Sequence, residues 1–388
     1  MSYVLRGLVG LAIAVTGAVV PVSAQAAEGS ITVSVEPGRL TAAEQVRVKG
    51  TVTPAPGGPV QVQVRTPSGW TAASSMATDA DGSFAGDVTP VSSDSRGASA
   101  LRVVEPDTGM TSDSVSLVIS AALDVPALDV DYLGRERVTI GVYPRAYTGE
   151  ITVRDRAGRT LGSAPAANGR ARLDLTAQDL GRQKVSVQSA ADGDLVPGSQ
   201  KAVLRSNWVR LQRGSTGPVV AGLLRKLRSL NFHTPPVGER FDAPVGDVVM
   251  AFKKAEELPR NERMDRRAWR TLADMAPMKP RFRGGKGVHI EVDKTRQILM
   301  LVKNGQVKGT LHVSTGATGN TPEGRFRIYE KGVGALYRFM GFQGNFGIHG
   351  YIPVPPYPAS HGCVREPMWA ADWTYQRSPV GTRVIIYT

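Results

Sequence analysis

The 388 residues exceed one ordinary domain and suit two to four. A formal charge of +13 favours polyanionic partners, yet the chain has no zinc-finger spacing, no run of five basic residues and only 6% aromatics, so no nucleic-acid partner is expected. Forty-three Gly and 26 Pro favour turn-rich β structure over helix.

Arg6 supplies a thin positive start. The apolar stretch from Gly7 to Val20 is short for a bilayer span, and Ala24-Gln25-Ala26 has the small-residue form of a cleavage site. Residues 1–27 therefore read as a signal peptide, with an uncleaved anchor as the alternative. Cleavage would leave no stable transmembrane span and a secreted, wall-associated protein. The chain has a single cysteine, Cys363, so no internal disulfide is possible. A lone thiol in an oxidising compartment is a liability unless it performs chemistry.

Short apolar-polar alternations follow, at Ile31-Val33-Val35, Val46-Val48, Val60-Val62-Val64, Leu101 to Val104 and Val115 to Ile119. Turn signals such as Pro56-Gly57-Gly58 and Asp81-Gly82 separate them. Period two with frequent turns predicts a β-sandwich over 29–120. A second stretch of the same texture, 121–205, predicts a tandem partner, both immunoglobulin-like. Neither shows a polar or aromatic constellation, and spacer modules are the expectation.

The period changes near Asn207. Apolar residues at Val219, Val220, Leu223, Leu224, Leu227 and Leu230 predict a helix from Pro218, with Thr216 as its cap. A second helix is expected from about Pro244 to Glu257, capped by Asp242, and a third after Asp265. Leu211-Gln212-Arg213-Gly214-Ser215-Thr216-Gly217-Pro218, then Phe241-Asp242, Val248 to Phe252 and Asp265 to Leu272, resemble the type-1 peptidoglycan-binding domain. The helical module spans 206–278. Arg225 and Lys253 stand where that family usually has Gln. Residues 206–285 carry sixteen basic and eight acidic residues, a net +8 suited to anionic wall polymers.

Ala276 to Gly287 reads as a linker rich in Pro, Gly and basic residues. Beyond it, Val288-Ile290-Val292, the apolar run Gln297 to Val302, the turn Asn304-Gly305 and the closing Thr382 to Tyr387 predict a mainly-β domain over 286–388. His289 and His312 fall opposite the apolar residues of their strands and are expected in solvent. Thr321 to Phe326 reads as a turn entering a strand.

Within this domain Phe346-Gly347-Ile348-His349-Gly350 precedes a segment with four prolines, which leads to Ser360-His361-Gly362-Cys363-Val364-Arg365. A free thiol has a pKa of about 8.5 and needs a base, a proton relay and donors for an oxyanion. His349, fourteen residues upstream, is a candidate base. A helix expected from Pro367 to Gln376 would point its positive end at Cys363. Zinc on His349, His361 and Cys363 would crowd ligands onto one tight turn, so no metal and no cofactor is expected.

These strings, with Thr321-Pro322-Glu323-Gly324-Arg325-Phe326, resemble the signature of the L,D-transpeptidase (YkuD-type) catalytic domain. The resemblance implies Cys363 as nucleophile, His349 as general base and later acid, and the Gly350 carbonyl as the group that orients His349. It implies an oxyanion hole from backbone N–H groups of His361, Gly362 and Cys363, and substrate or loop roles for Ser360 and Arg365. The implied reaction is 3→3 cross-linking of peptidoglycan stem peptides through a thioester. The rivals are an L,D-carboxypeptidase, in which water resolves the same thioester, and a non-catalytic wall-binding protein.

Overall fold

The computed structural model describes residues 29–282 and 286–388. The signal-peptide reading lies outside the described residues. The chain divides into two compact units, one formed by most of 29–117 and the other by 118–388 together with 39–44 and 89–99.

In the first unit, Val46–Thr53 pairs antiparallel with Ser30–Glu36 on one side and Ser83–Val88 on the other. A second sheet orders Gly69–Met76, Val60–Thr66, Ala100–Val104 and Val115–Ser116. Alternation puts Val60, Val62 and Val64 on the buried face, while Gln61, Gln63 and Arg65 lie outward or half-buried. The second unit opens with an eight-stranded sheet built from strands between Ala122–Asp124 and Gly198–Asn207.

Three helices follow. α1 is Pro218–Ser229, α2 is Ala243–Ala255 and α3 is Arg266–Asp274. Asp242 caps α2 by accepting from the Val245 N–H at 3.2 Å, and Asp265 caps α3 through the Ala268 N–H at 2.9 Å. The expectation for α1 fails. Gly217 is its cap residue, with no side-chain hydrogen bond, and Pro218, which has no N–H, starts the helix. The apolar stripe of α1 is buried, and a Leu224→Ala cavity would cost about 2–5 kcal/mol. This core continues into its neighbours. Tyr132 of the preceding sheet meets Trp269 edge-on at 5.6 Å, and Ile298 of the C-terminal domain joins the same cluster.

The stretch after α3 is pinned rather than free. The Met278 N–H donates to the Leu230 carbonyl, and the backbone N–H groups of Arg281 and Phe282 donate to the buried Glu291 carboxylate at 2.8 and 3.0 Å.

The C-terminal domain has two sheets. One orders Gln306–His312, Ile298–Lys303, Val288–Asp293, Arg383–Tyr387 and Gly324–Arg327. The other orders Glu330–Lys331, Tyr337–Gln343, Phe346–Tyr351 and Val364–Pro367, the last pair parallel. Ile290, Leu299, Met340, Ile348, Val364 and Val384 share the core between them. α4, Met368–Arg377, follows directly. Here His289 and His312 correct the sequence expectation. Both are buried, His289 against Glu291 at 2.9 Å and His312 against Asp247 of α2 at 3.0 Å. Alternation called them solvent-facing, but each buried face is covered by a polar partner rather than by water.

Candidate active site

The parallel pairing of Phe346–Tyr351 with Val364–Pro367 sets His349 opposite Arg365. Period two puts His349 and Tyr351 on one face, shared across the ladder by Arg365. The contacts agree. The Arg365 guanidinium sits 4.1 Å from the Tyr351 ring centre, and the His349 and Tyr351 rings meet edge-on at 5.9 Å.

His349 is 2% exposed, and its Nδ1 lies 3.0 Å from the Gly350 carbonyl. A carbonyl only accepts, so Nδ1 carries the proton and Nε2 keeps its lone pair. Burial pulls the imidazole below its ordinary value. The Arg365 charge adds to this, while the Gly350 hydrogen bond opposes it. The ring is thus neutral and basic at Nε2 under ordinary conditions.

Cys363 is half-buried, with Sγ 3.7 Å from the Asn345 carbonyl. Gly362 before it has φ +136°, and an added Cβ would lie 2.2 Å from the Phe346 ring. Only glycine fits. The expected helix activation is absent. The strand Val364–Pro367 separates Cys363 from α4, and four extended residues place it about 13 Å from that helix start. A helix dipole fades within a turn.

The Ser360 hydroxyl is buried. It donates to the Cys363 carbonyl at 2.5 Å and accepts from the Gly362 N–H at 3.1 Å. Ser360 is therefore a loop clamp, the loop role among those the resemblance implied for it. The Gly362 N–H is engaged in that clamp. The N–H groups of His361 and Cys363 have no acceptor among the described residues and are the donors left for an oxyanion. The His361 side chain is exposed. Arg365 donates to the Ala359 carbonyl at 3.2 Å and keeps further N–H groups free of any protein acceptor among the described residues.

Sequence reasoning missed the support of this loop. Thr321 is fully buried. Its hydroxyl donates to the Gly362 carbonyl at 2.7 Å and accepts from the Gly316 N–H at 2.8 Å. Asn320 Nδ2 donates to the His361 carbonyl at 2.7 Å. Ser314 and Arg365 exchange backbone bonds at 3.0 and 2.9 Å, and Gln297 holds Thr315 through both ends of its amide. The available signal was the Thr-Pro-x-Gly string itself, which has more order than a plain turn requires. No group of three or more metal-ligating side chains occurs among the described residues.

Residues 287–386 match the L,D-transpeptidase catalytic domain family. A comparison with curated proteins gave no match. Among solved structures, the L,D-transpeptidase (residues 123-326) from Xylanimonas cellulosilytica DSM 15894 is 30% identical over 46% of this chain and 97% of that one, with a TM-score of 0.42. An L,D-transpeptidase from Stackebrandtia nassauensis is 21% identical, covering 46% of this chain and 95% of its own, with a TM-score of 0.30. An L,D-transpeptidase from Mycobacterium smegmatis is 12% identical over 69% and 99%, with a TM-score of 0.25.

Proposed function

We propose that this chain, whose residues 287–386 match the L,D-transpeptidase catalytic domain family, is a wall-associated enzyme that cross-links peptidoglycan stem peptides through a thioester on Cys363. The observation that carries this reading is the hydrogen bond from His349 Nδ1 to the Gly350 carbonyl. It leaves Nε2 free to act as a base, and the strand pairing sets His349 opposite Arg365, two residues beyond Cys363.

The donor is a stem tetrapeptide that ends in D-Ala. His349 Nε2 takes the Cys363 proton as sulfur attacks the carbonyl of the third residue. Oxygen gains the negative charge, facing the N–H groups of His361 and Cys363. The C–N bond to D-Ala then breaks, and His349 returns the proton to the leaving amine. A side-chain amine of a second stem attacks the thioester, its proton passes to His349, and the thiolate leaves. A 3→3 peptide bond remains. Ser360, Thr321 and Gly362 hold the loop in shape for each step.

The helical module and the basic surface fit a wall location. Arg225 is exposed on α1, whereas Lys253 is buried, so Arg225 is the position of the two left to meet glycan. A cleft of about 850 Å³ lined by Arg135, Arg159, Arg225 and Lys226, with Asp179 and Glu239 also on its wall, keeps a net positive surface that suits anionic wall polymer. No described helix is long and apolar enough to cross a membrane.

The test is incubation of the protein with disaccharide-tetrapeptide, followed by mass spectrometry. We expect an acyl adduct on Cys363, release of D-Ala and a cross-linked dimer. Cys363→Ala should lose all three with its fold unchanged. A chain that forms no adduct and releases no D-Ala refutes the reading. Trimmed monomer without dimer selects hydrolysis instead.

A further inference from the structure

Helix α2 reaches the catalytic domain with two side chains, and the loop after it with a third. Asp247 Oδ1 accepts from His312 Nε2 at 3.0 Å, and its Oδ2 accepts from Trp369 Nε1 at 2.9 Å. Lys254 is 1% exposed; it donates to the Val313 carbonyl at 2.7 Å, with His312 Nδ1 3.5 Å away. Just beyond the helix, Arg260 donates to the carbonyls of Thr295 at 2.9 Å and Pro356 at 3.0 Å. The loop that presents Arg260 is itself fixed. Buried Lys253 donates to Asn261 Oδ1 at 2.7 Å, and that oxygen also accepts the Arg263 N–H at 3.1 Å.

Both receiving points lead to Cys363. Val313 is followed by Ser314, which exchanges backbone bonds with Arg365, two residues beyond the thiol. Pro356 lies in the proline-rich segment that joins His349 to the Cys363 loop. The Ser314 hydroxyl ties that segment down through the Tyr357 carbonyl at 2.7 Å. Helix α2 and the loop that follows it therefore grip the strand end beside the nucleophile and the segment that connects nucleophile to base. A module that only adhered to the wall would need no buried lysine at this junction, because burying a polar amine is costly unless it is hydrogen-bonded.

From this geometry we infer that α2 is a strut of the active site, and that Lys254 and Arg260 are positioning residues for acyl transfer. The inference rests on the reading of Cys363 as nucleophile. Lys254 aligns the strand end that registers Arg365. Arg260 holds the proline-rich segment at its midpoint. Neither touches the reacting atoms.

Arg260 is exposed, so Arg260→Met removes two hydrogen bonds and leaves the cores intact. Ångström-scale misplacement of reacting groups costs up to about a hundredfold in rate. We expect Arg260→Met to lower kcat/KM for disaccharide-tetrapeptide about tenfold, mainly through kcat, with an unchanged Tm. Arg260→Lys keeps one donor and should recover part of the loss. Lys254→Met should lower both kcat and Tm. Arg260→Met at the wild-type rate, or a loss that merely follows a fall in Tm, overturns the inference. Absence of an acyl adduct in the wild-type chain would instead overturn the reading beneath it.

Discussion

Thr321→Val isolates the support of the nucleophile loop. Valine fills nearly the same volume as threonine, so no cavity opens, but the hydroxyl is lost. Two buried partners are then orphaned, the Gly362 carbonyl and the Gly316 N–H, bonded at 2.7 and 2.8 Å in the native protein. Each unpaired buried group costs about 1–3 kcal/mol, so the pair predicts a loss of about 2–6 kcal/mol. At about 2–4 °C per kcal/mol, that corresponds to a fall in Tm of about 4–24 °C. Function should suffer beyond stability. The Gly362 carbonyl precedes Cys363, and freeing it lets the peptide that carries the Cys363 N–H rotate away from the oxyanion. The assay is single-turnover acylation of Cys363, read by intact-protein mass spectrometry well below the new Tm, beside a calorimetric scan. We expect a rate at least about tenfold lower, with Thr321→Ser close to wild type. If Thr321→Val matched wild type in both rate and Tm, the hydroxyl would not be holding the loop, and the reasoning would fail.

Two further predictions concern the same strand pair. Gly362→Ala places a Cβ 2.2 Å from the Phe346 ring at φ +136° and should cost about 2–4 kcal/mol in strain and overpacking, abolishing acylation while Cys363 is still present; denaturant melts and adduct formation test it. Glu366 is fully buried, and burial raises its carboxyl to about 7, against one hydrogen bond from Thr374 that pulls the other way. Between pH 4.5 and about 7 the unfolded carboxyl has already lost its proton while the folded one keeps it, so stability should fall as pH rises through that window, by at most about 3 kcal/mol. Glu366→Gln should remove this slope, and equal pH slopes for the variant and wild type would refute it.

Elements whose residues repeat with one period were legible. The stripe Val219 to Leu230 gave α1, and Asp242 and Asp265 gave the starts of α2 and α3, because each is a local rule satisfied within four residues. The sheet of the C-terminal domain was legible for the same reason. Where local and tertiary demands differ, the reading failed. Thr216 has a capping side chain, yet Gly217 and Pro218 start α1 without one. Pro367 is the cap residue of α4, but the strand Val364–Pro367, invisible in four residues of mixed character, moves that helix away from Cys363.

The site divides along the same line. Cys363, His349 and Gly350 could be named because they lie in two short strings close in sequence and a carbonyl next to His349 bonds it without help from elsewhere. The residues that hold the string are remote in sequence and polar, and polarity alone reads as exposure. Thr321 is forty-one residues from the carbonyl it holds, Lys254 is fifty-nine from the carbonyl it reaches, and His312 finds Asp247 across sixty-five. Each is buried only because its partner arrives from another element. Lys254 on α2 therefore looks like solvated surface until the strand ending at His312 is laid beside it. The same logic explains why Arg225 and Lys253, equal departures from one sequence pattern, part company. Arg225 has no acceptor within reach among the described residues and stays in water, whereas Lys253 finds Asn261 eight residues on and turns inward.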